Sequence, residues 1–383
     1  MSLRVGLNGM LLKRPYSGVE QSILRLARAL DARGGHAYHM HVPSDFSDEE
    51  LGRKGLRLVP ARVPPRSRIA RIAFEHLALR VTGAEADVFH APGYILPRAE
   101  QVPAIVTVYD LMALDHPQWC RVSNRLYYGL ALPDSIRRAD GIIVPSESTR
   151  SALLKRFPEV DECVRVIPLG VGEEFTPQVD PTEQARVRDM WNLPTEFLLF
   201  VGQSEPKKNL GTLLAAFSVL RRSGRGPQTL VIAGKPGWHH RDLVEQARTL
   251  GITADVRFLG AVAARDLPVL YRMAKLFVFP SRYEGFGLPP LEAMACGTPV
   301  LCSSAGALQE YACPAAHALD HVDVGTLAKG LEYVLSDDHR LRSLATRGVE
   351  HTKRFTWRRC AAETERFYEW VVERAARATE AST

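Results

Sequence analysis

The chain has 383 residues, and at roughly 150 residues per domain this length suggests two domains, or at most three, each with its own core. This length excludes a peptide hormone and a single small binding module. Hydrophobic residues make up 46% and charged residues 24%, which excludes a disordered or fibrous chain. The 49 basic and 43 acidic residues leave a net charge of +6, and no run of about 18 apolar residues occurs. We therefore expect a cytoplasmic protein without a transmembrane helix.

Short β-branched runs bounded by turn residues alternate with amphipathic segments of helix length, such as residues 21–32 and 210–222. Such alternation predicts parallel sheets that are covered by helices on both faces. About a dozen strands are more than one sheet usually holds, so two sheets in two domains fit better. In chain order, the predicted strands are residues 4–8, 38–42, 88–90, 105–109, 141–145, 164–168, 198–201, 229–233, 256–259, 276–280 and 300–302.

The domain boundary is predicted at residues 169–180, where two glycines and a proline interrupt the alternation of strands and helices. We expect a hinge there, with one domain over residues 1–175 and the other over residues 184–358. Near the end of the chain, Phe367, Trp370 and Val371 recur at helical spacing between charges. This spacing predicts a terminal helix over residues 360–378 with one buried apolar face.

The most informative stretch is residues 280–300, which reads as a strand, a glycine-bearing loop, a helix that begins near Pro289 or Pro290, and another strand. Gly285 and Gly287 allow the backbone to approach a ligand, and the helix start behind them favours phosphate or sugar oxygens. Carboxylates on either side, Glu284 and Glu292, suit two adjacent hydroxyls, so one can bind a ribose and the other a transferred sugar. The alternative is a solvated loop acid and an acid that favours the helix dipole.

A second loop, residues 202–209, follows the predicted strand at 198–201 and leads into a helix for which Asn209 is a good N-cap. Lys207 and Lys208 therefore lie where a diphosphate would meet both a helix start and a positive charge. The alternative is a pair of solvated lysines.

Glu284 and Glu292, with seven residues between them around Gly-Phe-Gly, and the following Ala-Met-Ala-Cys-Gly-Thr-Pro-Val resemble the signature of retaining glycosyltransferases of family 4, which have the GT-B fold. The resemblance extends over nearly the whole chain and implies an α/β protein with two Rossmann-like parallel-sheet domains that face each other across a cleft. The form of these motifs resembles that of the bacterial mannosyltransferase branch that builds surface polysaccharides. The other matching segments are residues 16–20, 87–92, 106–111, 139–146, 166–171, 201–210 and 234–238.

The resemblance also implies roles for individual residues. The lysine matching Lys208 grips the donor phosphates in the family, and the turn at Gly18 should face those phosphates across the cleft; that turn can also be read as an ordinary tight turn with an N-cap serine. The implied catalytic residues are Glu284, Lys208, Tyr109 and Asp110. The implied donor-binding residues are Gly18, Gly202, Gln203, Lys207, Lys208, Gly285, Phe286, Gly287, Leu288 and Glu292.

Two positions depart from the family pattern. Gln203 stands where some relatives have an arginine, so phosphate affinity rests more on Lys208 and the backbone amides. Tyr109 precedes Asp110 where relatives commonly have His-Asp. Because a tyrosine does not carry charge near neutral pH, we expect Tyr109 to position substrate and not to act as an acid or base.

The implied reaction is the retaining transfer of a hexose, mannose from GDP-mannose above all, to a polysaccharide, glycolipid or lipid-linked acceptor. Residues 184–358 would bind the nucleotide sugar and residues 1–175 the acceptor, with the terminal helix at 360–383 returning to the first domain. We expect no metal and no cofactor besides the nucleotide-sugar substrate, because no Asp-x-Asp pair lies beside the phosphate loops and Lys208 with helix N-termini can stabilise the leaving group. No nucleic acid partner is expected.

Two other classes of protein are alternatives to a glycosyltransferase. A dinucleotide dehydrogenase is excluded because Gly-x-Gly-x-x-Gly does not follow the first strand. A catalytically weak nucleotide-sugar-binding subunit of a glycan-assembly complex stays open, because Tyr109 and Gln203 depart from the common patterns.

A basic stretch runs from Arg53 to Arg80, with eight basic residues against one acid, Glu75. Its prolines, Pro60, Pro64 and Pro65, predict an exposed loop, and a helix follows whose start carries Arg66, Arg68 and Arg71. Arginines at a helix start oppose the dipole, so an anionic partner explains them better than stability does. We expect peripheral contact with an anionic membrane, such as the inner membrane face, and the alternative is a solvated run.

Overall fold

A computed structural model of the chain describes residues 2–13, 16–48, 51–61, 68–75, 79, 84–97, 102–224, 226–238 and 240–380. The chain divides into two compact units. The first comprises Met1–Gly170 together with Phe355–Thr383, and the second comprises Val171–Arg354.

Within its described residues, the first unit has a sheet of seven parallel strands in the order β3-β2-β1-β4-β5-β6-β7. All four residues of each of β4, β5 and β6 are buried, because helices cover both faces of the sheet. The strands are β1 (Arg4–Asn8), β2 (Ala37–Pro43), β3 (Arg57–Ala61), β4 (Val88–Ala91), β5 (Ala104–Thr107), β6 (Gly141–Val144) and β7 (Val164–Val166). The helices are α1 (Gly18–Arg33), α2 (Arg68–Ala73), α3 (Met112–Asp115), α4 (Val122–Arg138) and α5 (Glu147–Arg156).

The second unit has a sheet whose described part contains six parallel strands in the order β10-β9-β8-β11-β12-β13. Its strands are β8 (Leu198–Val201), β9 (Leu230–Ala233), β10 (Val256–Gly260), β11 (Leu276–Phe279), β12 (Val300–Ser303) and β13 (His317–Leu319). Its helices are α6 (Pro181–Met190), α7 (Leu210–Ser223), α8 (His240–Thr249), α9 (Leu267–Met273), α10 (Leu288–Ala295), α11 (Leu308–Tyr311), α12 (Val324–Leu335) and α13 (Asp338–Thr352). In both sheets the first strand lies centrally and the order reverses beside it, which is the Rossmann arrangement. The predicted fold class, α/β with two Rossmann-like parallel sheets, is confirmed.

The last helix, α14 (Trp357–Glu380), packs on the first unit. Its Glu365 accepts hydrogen bonds from Arg33 Nε at 2.7 Å and from the Tyr38 hydroxyl at 2.8 Å. Further along α14, the Tyr368 hydroxyl lies 2.7 Å from Nδ1 of the buried His90. These hydrogen bonds connect α14 to α1, β2 and β4 of the first unit. None of the helices in the described ranges is long and apolar enough to cross a membrane.

Two edge strands were not predicted. The expectation that Pro60 lies in an exposed loop is wrong, since Pro60 is within β3 and pairs with Val42 of β2. A proline is tolerated there because β3 is an edge strand with no neighbour on its other side in the described sheet. Strand β13 has only three residues and no β-branched side chain, so it gave no recognisable pattern. Pro64, Pro65, Arg62, Arg66 and Arg80 of the basic stretch lie outside the described residues.

Candidate active site

The candidate site lies in the second unit, where the loops that follow β8 and β11 meet. These two strands are neighbours and run parallel, so their carboxyl ends share one edge of the sheet. The loop after β8 carries Lys207 and Lys208 in a short turn of 3-10 helix, and the loop after β11 carries Glu284. A backbone hydrogen bond joins the two loops: the Arg282 amide donates to the Lys207 carbonyl oxygen at 2.7 Å.

Lys208 and Glu284 form a buried ion pair. The Lys208 Nζ donates to Glu284 Oε1 at 2.6 Å, and the two side chains are only 11% and 9% exposed. The ammonium also lies 4.7 Å from the centre of the Phe279 ring at the end of β11. An ammonium has three N–H donors, and this ion pair uses one of them. Lys208 is therefore held at a fixed place with capacity to bind an anion.

Ser281 supports the same carboxylate and was not identified from the sequence. Its hydroxyl lies 2.6 Å from Glu284 Oε1 and 3.1 Å from the Lys207 carbonyl oxygen, so it can donate to either. Ser303 on β12 in turn donates to the Ser281 carbonyl oxygen. The available signal was a small hydroxyl residue three positions before Glu284, which by itself does not distinguish a turn residue from a residue that orients a carboxylate.

The charges around Glu284 keep it ionised. Burial opposes ionisation, but the nearby charges of Lys208 and then Lys207, with hydrogen bonds from Lys208 and Ser281, hold the pKa of the Glu284 carboxyl below its usual value. The pair is therefore an ammonium and a carboxylate near neutral pH. An anion that approaches the pair can accept hydrogen bonds from the N–H donors of Lys208 that Glu284 does not use.

Asn209 precedes α7 as predicted, but its side chain does not cap the helix. A capping side chain needs an extended backbone, whereas Asn209 is left-handed with φ 57°. Its Oδ1 accepts a hydrogen bond from the Thr212 hydroxyl at 2.8 Å instead. The expected capping role of Asn209 is therefore wrong, although asparagine suits this backbone conformation better than most residues.

Glycines bring the remaining loops of the site into contact. Gly287, with φ 102°, immediately precedes α10, and Pro289 and Pro290 lie in the first turn of that helix, as predicted. Gly306, with φ 58°, lies so close to Glu284 that a Cβ there would be 2.6 Å from the Glu284 carbonyl oxygen. That carbonyl accepts a hydrogen bond from the Ala307 amide at 3.0 Å. The segment around Gly306, which the sequence did not indicate, thus fixes the backbone of Glu284.

The loop after β9 packs on the loop after β8. A Cβ on Gly234 would lie 2.1 Å from the Gly202 carbonyl oxygen, and one on Gly237 would lie 1.9 Å from the Ser204 carbonyl oxygen. Only glycine permits such close backbone contacts. The segment that includes Gln203 is thereby held against residues 234–237.

The remaining predicted residues of the second unit lie at the start of α10. Phe286 is buried against Tyr311, with ring centres 4.6 Å apart, and Leu288 is the first residue of the helix. Glu292 is half-buried one turn into α10 and accepts a hydrogen bond at 3.0 Å from the hydroxyl of Tyr271, which is fully buried. Glu292 is therefore held by the protein. Tyr271 was not identified from the sequence because it lies on a different helix, α9.

The other predicted residues belong to the first unit. The Tyr109 hydroxyl is buried and donates to the Pro92 carbonyl oxygen at 3.0 Å. Burial raises the pKa of Tyr109 further above its usual value, so this phenol is neutral. Asp110 accepts a hydrogen bond from the Met112 amide at 3.1 Å at the start of α3. Gly18 is the exposed first residue of α1, and the space around its Cβ position is open to 4 Å.

Comparison with known proteins agrees with this geometry. Residues 182–351 match the family model described as glycosyl transferases group 1, and residues 16–175 match glycosyltransferase family 4. O-antigen chain mannosyltransferase B of Escherichia coli is 32% identical over 282 residues, which cover 72% of this chain and 72% of that protein. The chain belongs to glycosyltransferase family 4. It is therefore a glycosyltransferase, and its match to a bacterial mannosyltransferase agrees with the branch predicted from the sequence.

Solved structures give the same fold for this family 4 glycosyltransferase. Sucrose-phosphate synthase from Thermosynechococcus elongatus superposes with a TM-score of 0.74 at 23% identity, covering 96% of this chain and 98% of that one. HepE of Anabaena, in complex with UDP and glucose, has a TM-score of 0.71 at 19% identity, covering 95% and 98%. At these identities the superpositions establish the fold alone.

Proposed function

We propose that this glycosyltransferase is a retaining, metal-independent mannosyltransferase that takes mannose from GDP-mannose. Its acceptor is a growing surface polysaccharide, a glycolipid or a lipid-linked sugar. The name of the relative, O-antigen chain mannosyltransferase B, supports both the sugar and the class of acceptor. The observation that carries the proposal for the donor is the buried pair of Lys208 and Glu284, because it holds an ammonium with unused N–H donors where the loops that lead into α7 and α10 meet.

Transfer of mannose breaks the bond between its anomeric carbon and the diphosphate, and negative charge develops on the departing GDP. Lys208 would bind the diphosphate through its remaining N–H donors. The first backbone amides of α7 would add partial positive charge, as would the Leu288 amide at the start of α10, where Pro289 and Pro290 have no N–H. These groups supply from the protein the stabilisation that a divalent cation supplies in metal-dependent enzymes. Retention requires the acceptor oxygen to bond on the face that the diphosphate leaves.

The two glutamates would divide the rest of the donor between them. Glu292, oriented by the Tyr271 hydroxyl, has a carboxylate suited to a pair of ribose hydroxyls. Glu284, fixed by Lys208 and Ser281, would face the transferred sugar. The rest of the donor pocket would be shaped by the backbone and side chains of Gln203, Gly285, Phe286 and Leu288.

The first unit would bind the acceptor, with Asp110 as a positioning residue. The buried Tyr109 hydroxyl already donates to the Pro92 carbonyl oxygen, so Tyr109 would act by holding the backbone that precedes Asp110. The basic stretch from Arg53 to Arg80 would contact anionic lipid. Some of its arginines have partners inside the unit: Arg68 donates to Asn124 Oδ1 at 2.6 Å, and Arg71 lies 3.7 Å from the buried Glu75. The positive charge of these arginines is thus held on α2, beside α4.

Thermal-shift measurements with nucleotide sugars, followed by assays of nucleotide release, test the donor. We expect GDP-mannose to raise the melting temperature more than UDP-glucose or dTDP-glucose does, and GDP release to continue in EDTA. UDP-glucose is the informative competitor because HepE was solved with UDP and glucose. Stronger stabilisation by UDP-glucose would refute the proposed donor. Loss of activity in EDTA with rescue by manganese would refute metal independence.

A further inference from the structure

Helix α4 of the first unit presents a stripe of apolar side chains to solvent. Val122, Leu126 and Leu130 are 73%, 63% and 80% exposed, the highest values among the large apolar side chains of the described residues. Their spacing of four residues places them on one face of the helix. Tyr128 and Ala131, on the other side of α4, pack against the hydrophobic core of the first unit, so the stripe is not a consequence of a loosely attached helix. Single exposed apolar residues are ordinary, but a contiguous stripe marks an interaction surface.

Positive charge surrounds this stripe. Arg121 and Arg125 are exposed at its first turn, and no acidic residue occurs between Asp115 and Asp134 in the sequence. Arg68 of α2 reaches the same helix: it hydrogen-bonds Asn124 and lies 5.3 Å from the centre of the Tyr127 ring. Asn124 and Tyr127 do not belong to the stripe, so α2 contacts α4 on a different face and leaves the stripe uncovered.

The charges decide which partner fits. An apolar stripe with arginines beside it is the composition of helices that lie in the interface of an anionic membrane, with the apolar face among the acyl chains and the arginines at the lipid phosphates. A second copy of this chain fits less well, because a two-fold contact through α4 would bring Arg121 and Arg125 of both copies together and repel. The absence of acids in residues 116–133 favours an anionic partner for the same reason.

We propose that the α4 stripe, Val122, Leu126 and Leu130, inserts into an anionic membrane while Arg121 and Arg125 contact the lipid phosphates. This inference deepens the membrane part of the proposed function and does not depend on the identity of the donor. It adds an apolar component to a contact that the basic stretch alone would make purely electrostatic. Such a contact holds the acceptor-binding unit at the surface where a lipid-linked acceptor resides.

Sedimentation with vesicles tests the proposal, with phosphatidylcholine alone compared with an equal mixture of phosphatidylcholine and phosphatidylglycerol. The test variant is Leu126→Gln/Leu130→Gln, and the matched control is Met190→Gln/Val244→Gln, which changes exposed apolar residues on helices of the second unit. We expect the wild type and the control to bind the mixed vesicles, and the test variant to bind about tenfold or more weakly. Arg121→Gln/Arg125→Gln should weaken binding to mixed vesicles and reduce its salt dependence.

Three outcomes would overturn the proposal. The first is that Leu126→Gln/Leu130→Gln binds mixed vesicles as the wild type does. The second is that the wild type binds neither kind of vesicle, or binds both equally. The third is light scattering that shows a wild-type dimer which this variant dissociates, because a second copy would then cover the stripe. Release of GDP from GDP-mannose in solution separates the two proposals: its absence in a wild type that still binds mixed vesicles would refute the donor and leave the membrane surface standing.

Discussion

Lys208 and Glu284 allow the structural role of their ion pair to be separated from the proposed role of Lys208 in donor binding. Lys208→Met leaves a carboxylate buried without its cation, and we expect it to lower the free energy of unfolding by about 3–5 kcal/mol. Lys208→Met/Glu284→Gln should recover much of that loss, since no uncompensated charge is buried. Denaturant unfolding measures both variants.

Sugar transfer should not recover with stability. Both Lys208 variants should transfer at least about tenfold more slowly than the wild type, because a charge-assisted bond to phosphate is lost. A Lys208→Met protein as stable as the wild type would show that the ion pair does not form in solution. Wild-type transfer by the double variant would remove Lys208 from the donor site.

His90 predicts how the stability of the protein depends on pH. Its ring nitrogens lie 2.7 Å from the Tyr368 hydroxyl and 2.8 Å from the Thr107 hydroxyl, and burial lowers its pKa from the ordinary 6.5 to about 3. The unfolded chain takes up a proton below pH 6.5 and the folded chain does not, so stability is complete above that pH and declines as the pH falls toward 3.

Melting temperatures across this pH range measure the effect. His90→Gln keeps a polar side chain without the titration, and its melting temperature should fall less steeply than that of the wild type. Equal slopes for the two proteins would show that His90 does not titrate differently in the folded and unfolded states.

At the level of elements, the contact between the Gly306 segment and the loop of Glu284 carries the geometry of the site. Gly306 and Gly251 have similar backbones, with φ 58° and 72°, but a Cβ on Gly251 would meet nothing within 4 Å. Gly251→Ala should therefore cost only the strain of a left-handed alanine, about 1–2 kcal/mol, with no change in affinity for GDP-mannose. Gly306→Ala should also displace Glu284 and weaken donor binding about tenfold or more. Equal donor affinities in calorimetry would contradict this link.

Most elements could be predicted because their signals are local. Short strand-like runs of four or five residues located β1 and β8 at their observed bounds, and Pro289 with Gly297 marked the two ends of α10. Strands β3 and β13 could not be found, since a proline or a lack of β-branched residues is tolerated at a sheet edge, where fewer hydrogen bonds are required.

For the candidate site, individual residues could be identified from the sequence, but the contacts between them could not. Lys208 and Glu284 each stand in a recognisable loop, but their contact depends on β8 and β11 being neighbours, which no local pattern reports. Ser281, Tyr271 and Gly306 act through contacts with residues on other elements or in other loops. Their side chains and backbones carry no distinguishing signal in the sequence by themselves.

At the scale of the whole molecule, the last helix crosses back to complete the first unit. Glu365 of α14 is buried and binds both Arg33 and Tyr38, whereas Glu363 on the same helix makes an ion pair with Arg359, whose side chain is 58% exposed. We expect Glu365→Gln to lower the free energy of unfolding by about 1.5–3 kcal/mol, because hydrogen bonds to a charged group are weakened, and Glu363→Gln to change it by less than about 1 kcal/mol.

The second unit provides the control for this prediction. Affinity for GDP-mannose, which the proposed site places entirely in the second unit, should be the same in Glu365→Gln as in the wild type. Equal stabilities of the Glu365 and Glu363 variants would show that α14 is not anchored through Glu365.

The most direct test of the proposed function is the anomeric configuration of the sugar that the purified protein transfers. The protein would be incubated with GDP-α-mannose, EDTA and a lipid-diphosphate-linked oligosaccharide, and the new linkage read by NMR spectroscopy. Transfer of mannose from the α-linked donor by a retaining enzyme predicts an α-mannosyl product. A β-linked product, or transfer from UDP-glucose and none from GDP-mannose, would contradict it.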